Sequence, residues 1–349
     1  MNNIIFSNNL NEDLASFIKK YRKNKIFILL DENTYKHCYP LVQDVFLEQP
    51  FIEILPAGEK SKNIEFVEHV WRNLTENKAD RQSLLINIGG GKVTDLGGFV
   101  AGTFQRGIDY VNIPTSLLAQ IDASVGGKTG VNFNDLKNQI GLFNEASAIL
   151  IASEFLKTLP QRELISGLAE MVKHSLLDKQ EAWDKINKLY PERIDFAYLQ
   201  TLIKESIEFK MKIVESDPLE KGNREALNFG HTIGHAIETS FNKKNINILH
   251  GEAVAIGMIC ELFLSNKVFS FNFMKLFEVS QFLATYFKSF KIKYSDYEEI
   301  YEIMKHDKKN KEDSIRFTLL RDIGKFETNQ QCSKEDIFES LNFYFQIQK

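Results

Sequence analysis

Three of the chain's seven histidines fall within a short stretch, His231, His235 and His250. His231 and His235, in HTIGH, are four positions apart and share one face if the segment is helical. Upstream, the segment GLAEMVKH puts Glu170, Lys173 and His174 at helical spacing. A catalytic zinc takes three protein ligands and keeps one position open, and two histidines with one glutamate form such a set. Spacing alone leaves open which three of Glu170, His174, His231, His235 and His250 would bind a metal. It also leaves open that the histidines only cap or pack a helix. HTIGH is not HExxH, because Thr232 stands where a metalloprotease carries its glutamate base. Around these residues lie Lys210, Arg224, Asn228 and, in His-Asp-Lys-Lys-Asn, Lys308 and Lys309. The lysine pair alone reads as a solvated face. Several cations beside a divalent ion imply a substrate with more than one negative charge.

A second group could bind phosphates. The run Leu84 to Asp95 (LLINIGGGKVTD) leads a strand into three glycines, Gly89 to Gly91, and then a helix start. Backbone N–H groups and the helix dipole would face an anion there. It matches neither GxGxxG nor the P-loop, and a tight structural turn is the competing reading. Asp31 and Asn33 follow an earlier strand, and Glu59 and Lys62 follow Pro56-Ala57-Gly58; these could meet a ribose or be ordinary surface charge. The segment Ile113 to Gly130 carries Asp122 and Gly126-Gly127-Lys128, with Lys137 and Asn138 close behind. Such a loop can set an ammonium beside an anion that the backbone also contacts.

These residues need two kinds of scaffold. Up to about residue 150, short apolar runs (Lys25 to Leu30, Phe51 to Leu55, Leu84 to Ile88, Tyr110 to Ile113) alternate with helical patterns. That predicts a buried parallel sheet with crossover helices. Eleven of the 19 glycines lie between Gly89 and Gly141, so this stretch needs close backbone approach or positive φ. Beyond residue 152 the segments Leu164 to Leu177, Tyr198 to Val214, Thr232 to Thr239 and Glu252 to Leu264 read as helices, with little strand signal. The expected architecture is α/β: an N-terminal Rossmann-like, nucleotide-binding domain (1–152), then a mainly α-helical metal and substrate domain (153–349). The phenylalanine-rich stretch Phe269 to Phe290 is expected to be core.

At 349 residues the chain suits two domains, and 43% hydrophobic with 26% charged residues fits a folded globular protein. A formal net charge of −4 argues against general nucleic-acid binding. The cysteines Cys38, Cys260 and Cys332 fit no metal spacing or disulfide framework, which points to a reducing compartment. No basic, then apolar leader opens the sequence and no run is long enough to span a bilayer, so a cytoplasmic location is expected.

The ordered set GGG…DL, PTSLLAQIDASVGGKTG, LKNQIG, GLAEMVKH, NFGHTIGHAIE and LHGE resembles the 3-dehydroquinate synthase family, from about Asp31 to Lys309. The resemblance implies zinc (or cobalt) on Glu170, His231 and His250, with His235 a proton shuttle and His174 structural. It implies NAD against Asp31, Asn33, Glu59, Lys62, Gly89, Gly90, Gly91 and Asp95. Thr115, Ser116, Lys137, Phe155, Thr158 and Leu159 complete that side. It implies a substrate carboxylate on Lys210 and Arg224, and a phosphate on Lys128, Asn138 and one of Lys308 and Lys309. Arg106 would reach the phosphate from the second subunit of a homodimer, and Asp122, Lys173 and Asn228 would hold hydroxyls or order the site. The reaction implied is oxidation, phosphate elimination, reduction and intramolecular aldol closure of 3-deoxy-D-arabino-heptulosonate 7-phosphate.

Some positions depart from the family pattern. Lys92 follows the glycines where a small apolar residue is usual, placed either to add charge near a pyrophosphate or to point into solvent, and Thr94 replaces a frequent glycine. Ser116 stands for a threonine, and the segment Asn242 to Ile248 looks lengthened into a surface loop. Three competing readings are another sugar phosphate cyclase, a metal-dependent NAD-linked polyol dehydrogenase, and a catalytically silent nucleotide-binding regulator.

Overall fold

A computed structural model of the chain describes residues 3–134, 136–190, 192–218, 222–305 and 315–347. The chain divides into two compact units: Met1–Pro160 with Leu199–Ile207, and Gln161–Tyr198 with Glu208–Lys349. Residues 153–160, expected in the second domain, thus group with the first. Phe155 explains this, since its ring is buried in the hydrophobic cluster of the first unit.

In the first unit the strands are β1 (Ile4–Phe6), β2 (Ile26–Asp31), β3 (Phe51–Leu55), β4 (Leu84–Gly89), β5 (Asp109–Pro114), β6 (Lys128–Phe133), β7 (Leu136–Phe143) and β8 (Ala148–Ile151). Six of them form one sheet in the order β1-β8-β5-β4-β2-β3, and every neighbouring pair is parallel. The connecting helices are α1 (Leu10–Ile18), α2 (Glu32–His37), α3 (Ile64–Glu76) and α4 (Gly91–Thr103). Ile26, Ile28 and Leu30 of β2 share a cluster with Leu84, Ile86, Ile88, Val111 and Ile113, while Phe27 and Leu29 are buried as well. Burial on both faces is why these strands read as unbroken apolar runs rather than alternating ones.

Asn87 interrupts the run in β4. It is fully buried and donates from Nδ2 to Asn112 Oδ1 at 2.9 Å, its register partner on β5. Helix α4 lies directly over this pair, where a Cβ at Gly97 would come within 1.9 Å of Asn87 Oδ1. The glycine density of this stretch reflects such close approach.

The second unit contains α5 (Gln161–Asp178), α6 (Gln180–Ile186), most of the residues of α7 (Phe196–Ser216), α8 (His231–Lys243), α9 (His250–Phe269), α10 (Phe273–Tyr286), α11 (Tyr297–Lys305) and α12 (Lys334–Ile347). It also holds an antiparallel hairpin, β9 (Phe317–Asp322) and β10 (Lys325–Gln330), which the helical reading of this half did not anticipate. Likewise β6 and β7 pair as an antiparallel hairpin where a loop was read. The phenylalanine-rich stretch is only partly core. Phe271, Phe282, Phe287 and Phe290 are buried, but Phe273 and Phe277 on α10 are exposed. No helix among the described residues is long and apolar enough to cross a membrane.

Candidate active site

In the second unit, α5, α8 and α9 bring one carboxylate and three imidazoles together. Glu170 on α5 is fully buried. Its Oε1 lies 3.4 Å from His231 Nε2 and 3.7 Å from His250 Nε2, and its Oε2 forms an ion pair with Lys173 one turn along the helix. Neither oxygen has a partner in hydrogen-bond geometry. A buried carboxylate facing two ring nitrogens in that state is built for a cation. Burial alone would push the Glu170 pKa up. The Lys173 ammonium, then His231 and His250, outweigh burial and hold it well below the usual carboxylate range. The ligand atoms of His231, His235 and His250 also lie within 4.8 Å of one another. Geometry therefore supports these four donors, and His174, on the same helix as Glu170, also brings a ligand atom within 4.8 Å of a Glu170 oxygen, its ring lying 5.8 Å from that of Phe209.

Local structure fixes which nitrogens face the centre. His231 Nδ1 lies 3.0 Å from the Phe229 carbonyl, so Nδ1 carries the proton and Nε2 is left as the donor atom toward Glu170. His250 Nδ1 lies 3.4 Å from the buried Glu238 carboxylate and its Nε2 also turns to Glu170. A carboxylate behind a ligating imidazole orients the ring and raises its basicity. Burial would lower the His250 pKa, but Glu170 and Glu238 together raise it to about 9. The start of α9 is held by Glu252, whose Oε2 accepts from Leu249 N at 2.7 Å. Arg162 grips both oxygens of Glu252 at 2.7 Å and also donates to the Asn247 carbonyl. Glu238, Glu252 and Arg162 were not singled out from the sequence. Their signals were present: Glu238 continues the His231 and His235 face, and a glutamate three residues after Leu249 is a helix-start signature.

Other candidates of this unit are also placed. Lys210 on α7 and Arg224, in a 3-10 segment (Asn223–Asn228) before α8, are buried cations. Arg224 donates to the Pro218 carbonyl at 2.9 Å, and Asn228 closes the same segment. Lys308 and Lys309 lie outside the described residues.

In the first unit, β4 ends at Gly89, and Gly90 caps α4 with no side-chain bond to its first turn. Behind this turn, Lys62 is buried and donates to Asp95 Oδ2 and Asn138 Oδ1, both at 2.6 Å. Asn138 N in turn bonds Asn132 Oδ1 at 3.0 Å, and Asn132 donates to Glu59 at 2.9 Å. Glu59, Lys62, Asp95 and Asn138, picked separately from the sequence, thus form one network. Burial raises the Asp95 pKa despite Lys62, and Asp95 and Glu59 raise that of Lys62 against its own burial.

Asp31 caps α2, its Oδ1 accepting from Thr34 N at 2.9 Å, and its Oδ2 pairs with Lys92 at 3.2 Å. Lys92 also donates to the Pro56 carbonyl at 2.7 Å. The residue that departs from the family pattern therefore ties the ends of β2 and β3 to α4, pointing neither to phosphate nor to solvent. Thr94 is buried and bonds the Gly91 carbonyl at 3.1 Å. Thr115 bonds Gly89 through its backbone, and Ser116 Oγ accepts from Ala119 N. Asp122 lies in the short π-helical segment Ala119–Ala123, Lys128 opens β6, and Lys137 lies on β7. Thr158 donates to the Phe155 carbonyl at 3.3 Å, and Leu159 follows it. Asn33 is exposed on α2, and Arg106 is exposed with a φ of 70°.

A parallel dinucleotide-type sheet joined in one chain to a helical unit with a carboxylate–histidine centre defines a class of two-unit α/β enzymes. A family model described as 3-dehydroquinate synthase N-terminal matches residues 52–166, and one described as 3-dehydroquinate synthase C-terminal matches 167–310. The 3-dehydroquinate synthase of Parabacteroides distasonis is 43% identical over 343 residues, covering 98% of this chain and 97% of that one. That of Dictyoglomus thermophilum is 38% identical, covering 94% and 92%. Among solved structures, 2-epi-5-epi-valiolone synthase from Streptomyces hygroscopicus, with NAD+ and Zn2+ bound, superposes with a TM-score of 0.86 at 25% identity, covering 98% and 96%. The chain belongs to the 3-dehydroquinate synthase family.

Proposed function

We propose that the chain converts 3-deoxy-D-arabino-heptulosonate 7-phosphate to 3-dehydroquinate and phosphate, as a lyase that uses NAD and a divalent metal. The observation that carries this is the buried Glu170 carboxylate facing His231 and His250 inside a chain of this family. Glu170, His231 and His250 would hold zinc, or cobalt in its place. Asp31, Asn33, Glu59, Lys62, the Gly89–Gly91 turn and Asp95 would hold NAD, with Thr115, Ser116, Lys137, Phe155, Thr158 and Leu159 around it. When bound, the metal polarises substrate oxygens and the dinucleotide accepts and then returns a hydride.

The residues of the chain supply the rest. Lys210 and Arg224 hold the carboxylate, and their burial strengthens that contact because water competes less. Lys128 and Asn138 hold the phosphate, with Lys308 or Lys309, so the leaving group departs from a site already matched to its charge. His235, whose ring lies 5.0 Å from that of His231, moves protons at the reacting hydroxyl. Lys173 keeps Glu170 ionised, and Asp122 and Asn228 orient hydroxyls. Ring closure gains when the two ends of the substrate are held close to each other. The reading extends to a cytoplasmic homodimer in which Arg106 reaches the partner's phosphate site.

The nearest alternative is a cyclase acting on a heptulose 7-phosphate that lacks the carboxylate. Two buried cations, Lys210 and Arg224, favour the sugar acid. The test mixes purified protein with the heptulosonate phosphate and catalytic NAD. Stoichiometric phosphate and a carbocyclic product are expected; turnover of the heptulose phosphate in preference to the sugar acid would contradict the reading.

A further inference from the structure

Glu261 is fully buried in the middle of α9, a place where an ionisable side chain is costly unless it is hydrogen-bonded or paired. Its Oε2 accepts from Gly230 N at 2.6 Å, and its Oε1 lies 3.4 Å from Ile233 N. These are N–H groups of the first turn of α8, which begins at His231. Ordinarily the residue before a helix caps it with its own side chain. Gly230 cannot. Its φ is 79°, and a Cβ there would come within 2.5 Å of Met258 Cγ and 3.0 Å of the Val254 carbonyl. Glycine is what lets α8 cross α9 this closely, and the missing cap is supplied from α9 itself.

The capped N–H has a second property. Gly230 N–H and the Phe229 carbonyl belong to one peptide group, and that carbonyl is the partner of His231 Nδ1 at 3.0 Å. A continuous chain of hydrogen bonds therefore runs from the Glu261 carboxylate, through the peptide between Phe229 and Gly230, to the His231 ring. A negative charge on the N–H side makes the carbonyl a stronger acceptor, and a stronger acceptor at Nδ1 makes Nε2 a better donor. We infer that Glu261 is a positioning residue of the metal centre, aiming and activating His231 through a single peptide group. Glu238 does the same work for His250 by direct contact. The inference rests on the reading of His231 as a ligand.

The experiment measures zinc affinity by chelator competition and records the visible spectrum of the cobalt(II)-loaded full chain. It compares wild type with Glu261→Gln, which keeps shape but loses charge, and Glu261→Asp, which keeps charge but loses reach. Glu261→Gln is expected to weaken zinc about 10- to 100-fold and to shift the cobalt bands. The unfolding temperature of the metal-free protein should fall, because the glutamine NH2 meets one of the two N–H groups that the carboxylate accepts from, so affinity and spectrum are read on variant protein that is folded. Should the glutamine variant not fold, Glu261→Asp is expected to weaken zinc at least about tenfold. Wild-type affinity and spectrum in whichever of the two variants folds would overturn the inference. His231→Ala serves as reference: if it bound zinc like wild type, the metal reading itself would fall, and this one with it.

Discussion

His231 and His250 each open a helix, and their rings lie 5.4 Å apart with a proton-side partner behind each Nδ1. The carbonyl of Phe229 stands behind one and the carboxylate of Glu238 behind the other. Both Nε2 atoms therefore converge on Glu170 Oε1.

Glu238→Gln should loosen His250 without removing a ligand. The expected result is a fall in zinc affinity of about 10- to 100-fold, with lost turnover restored as zinc is raised. Titration of activity against free zinc checks it; a loss that saturating zinc does not restore would contradict a purely orienting role.

Lys62 joins Asp95 and Asn138 in the first unit. Lys62→Met removes the ammonium and leaves the Asp95 carboxylate buried beside an apolar chain. NAD affinity should fall at least about tenfold, and the first unit should lose about 2–4 kcal/mol. Fluorescence titration with NADH and denaturant unfolding read the two effects separately. Unchanged NADH affinity would remove Lys62 from the cofactor site.

Gly97→Ala tests why glycine is dense after β4. The new methyl would have to displace the Asn87–Asn112 pair, since its ideal position is 1.9 Å from Asn87 Oδ1. A loss of about 1–3 kcal/mol is expected from overpacking. A neutral or stabilising result, read as the shift in unfolding midpoint, would mean α4 can move off the sheet at no cost.

Much of this site was legible because its chemistry is local. HTIGH and GLAEMVKH each place their donors on one helix face, so periodicity alone predicted which side chains share a direction. The parallel sheet was equally readable from its apolar runs. What stayed hidden depends on tertiary contact. Lys92 looked like a charge beside a glycine turn, and only the folded chain shows it spanning to Asp31 and Pro56. Glu261 and Arg162 were not singled out, because their partners, the start of α8 and Glu252, come beside them only when the helices pack. The hairpin β9–β10 could have been found, since Gly324, with a φ of 79°, marks its turn. Phe273 and Phe277 were assigned to core on residue type, which does not determine the side of α10 they occupy.

The most direct test is zinc content per chain after dialysis for Glu170→Gln, His231→Ala, His235→Ala and His250→Ala. Because the ligand atoms of the three imidazoles lie within 4.8 Å of one another, a three-histidine centre is a real competitor to the set containing Glu170. The account predicts that the Glu170, His231 and His250 variants lose zinc, while His235→Ala keeps a full equivalent and turns over slowly. Zinc retained by Glu170→Gln and lost by His235→Ala would contradict it.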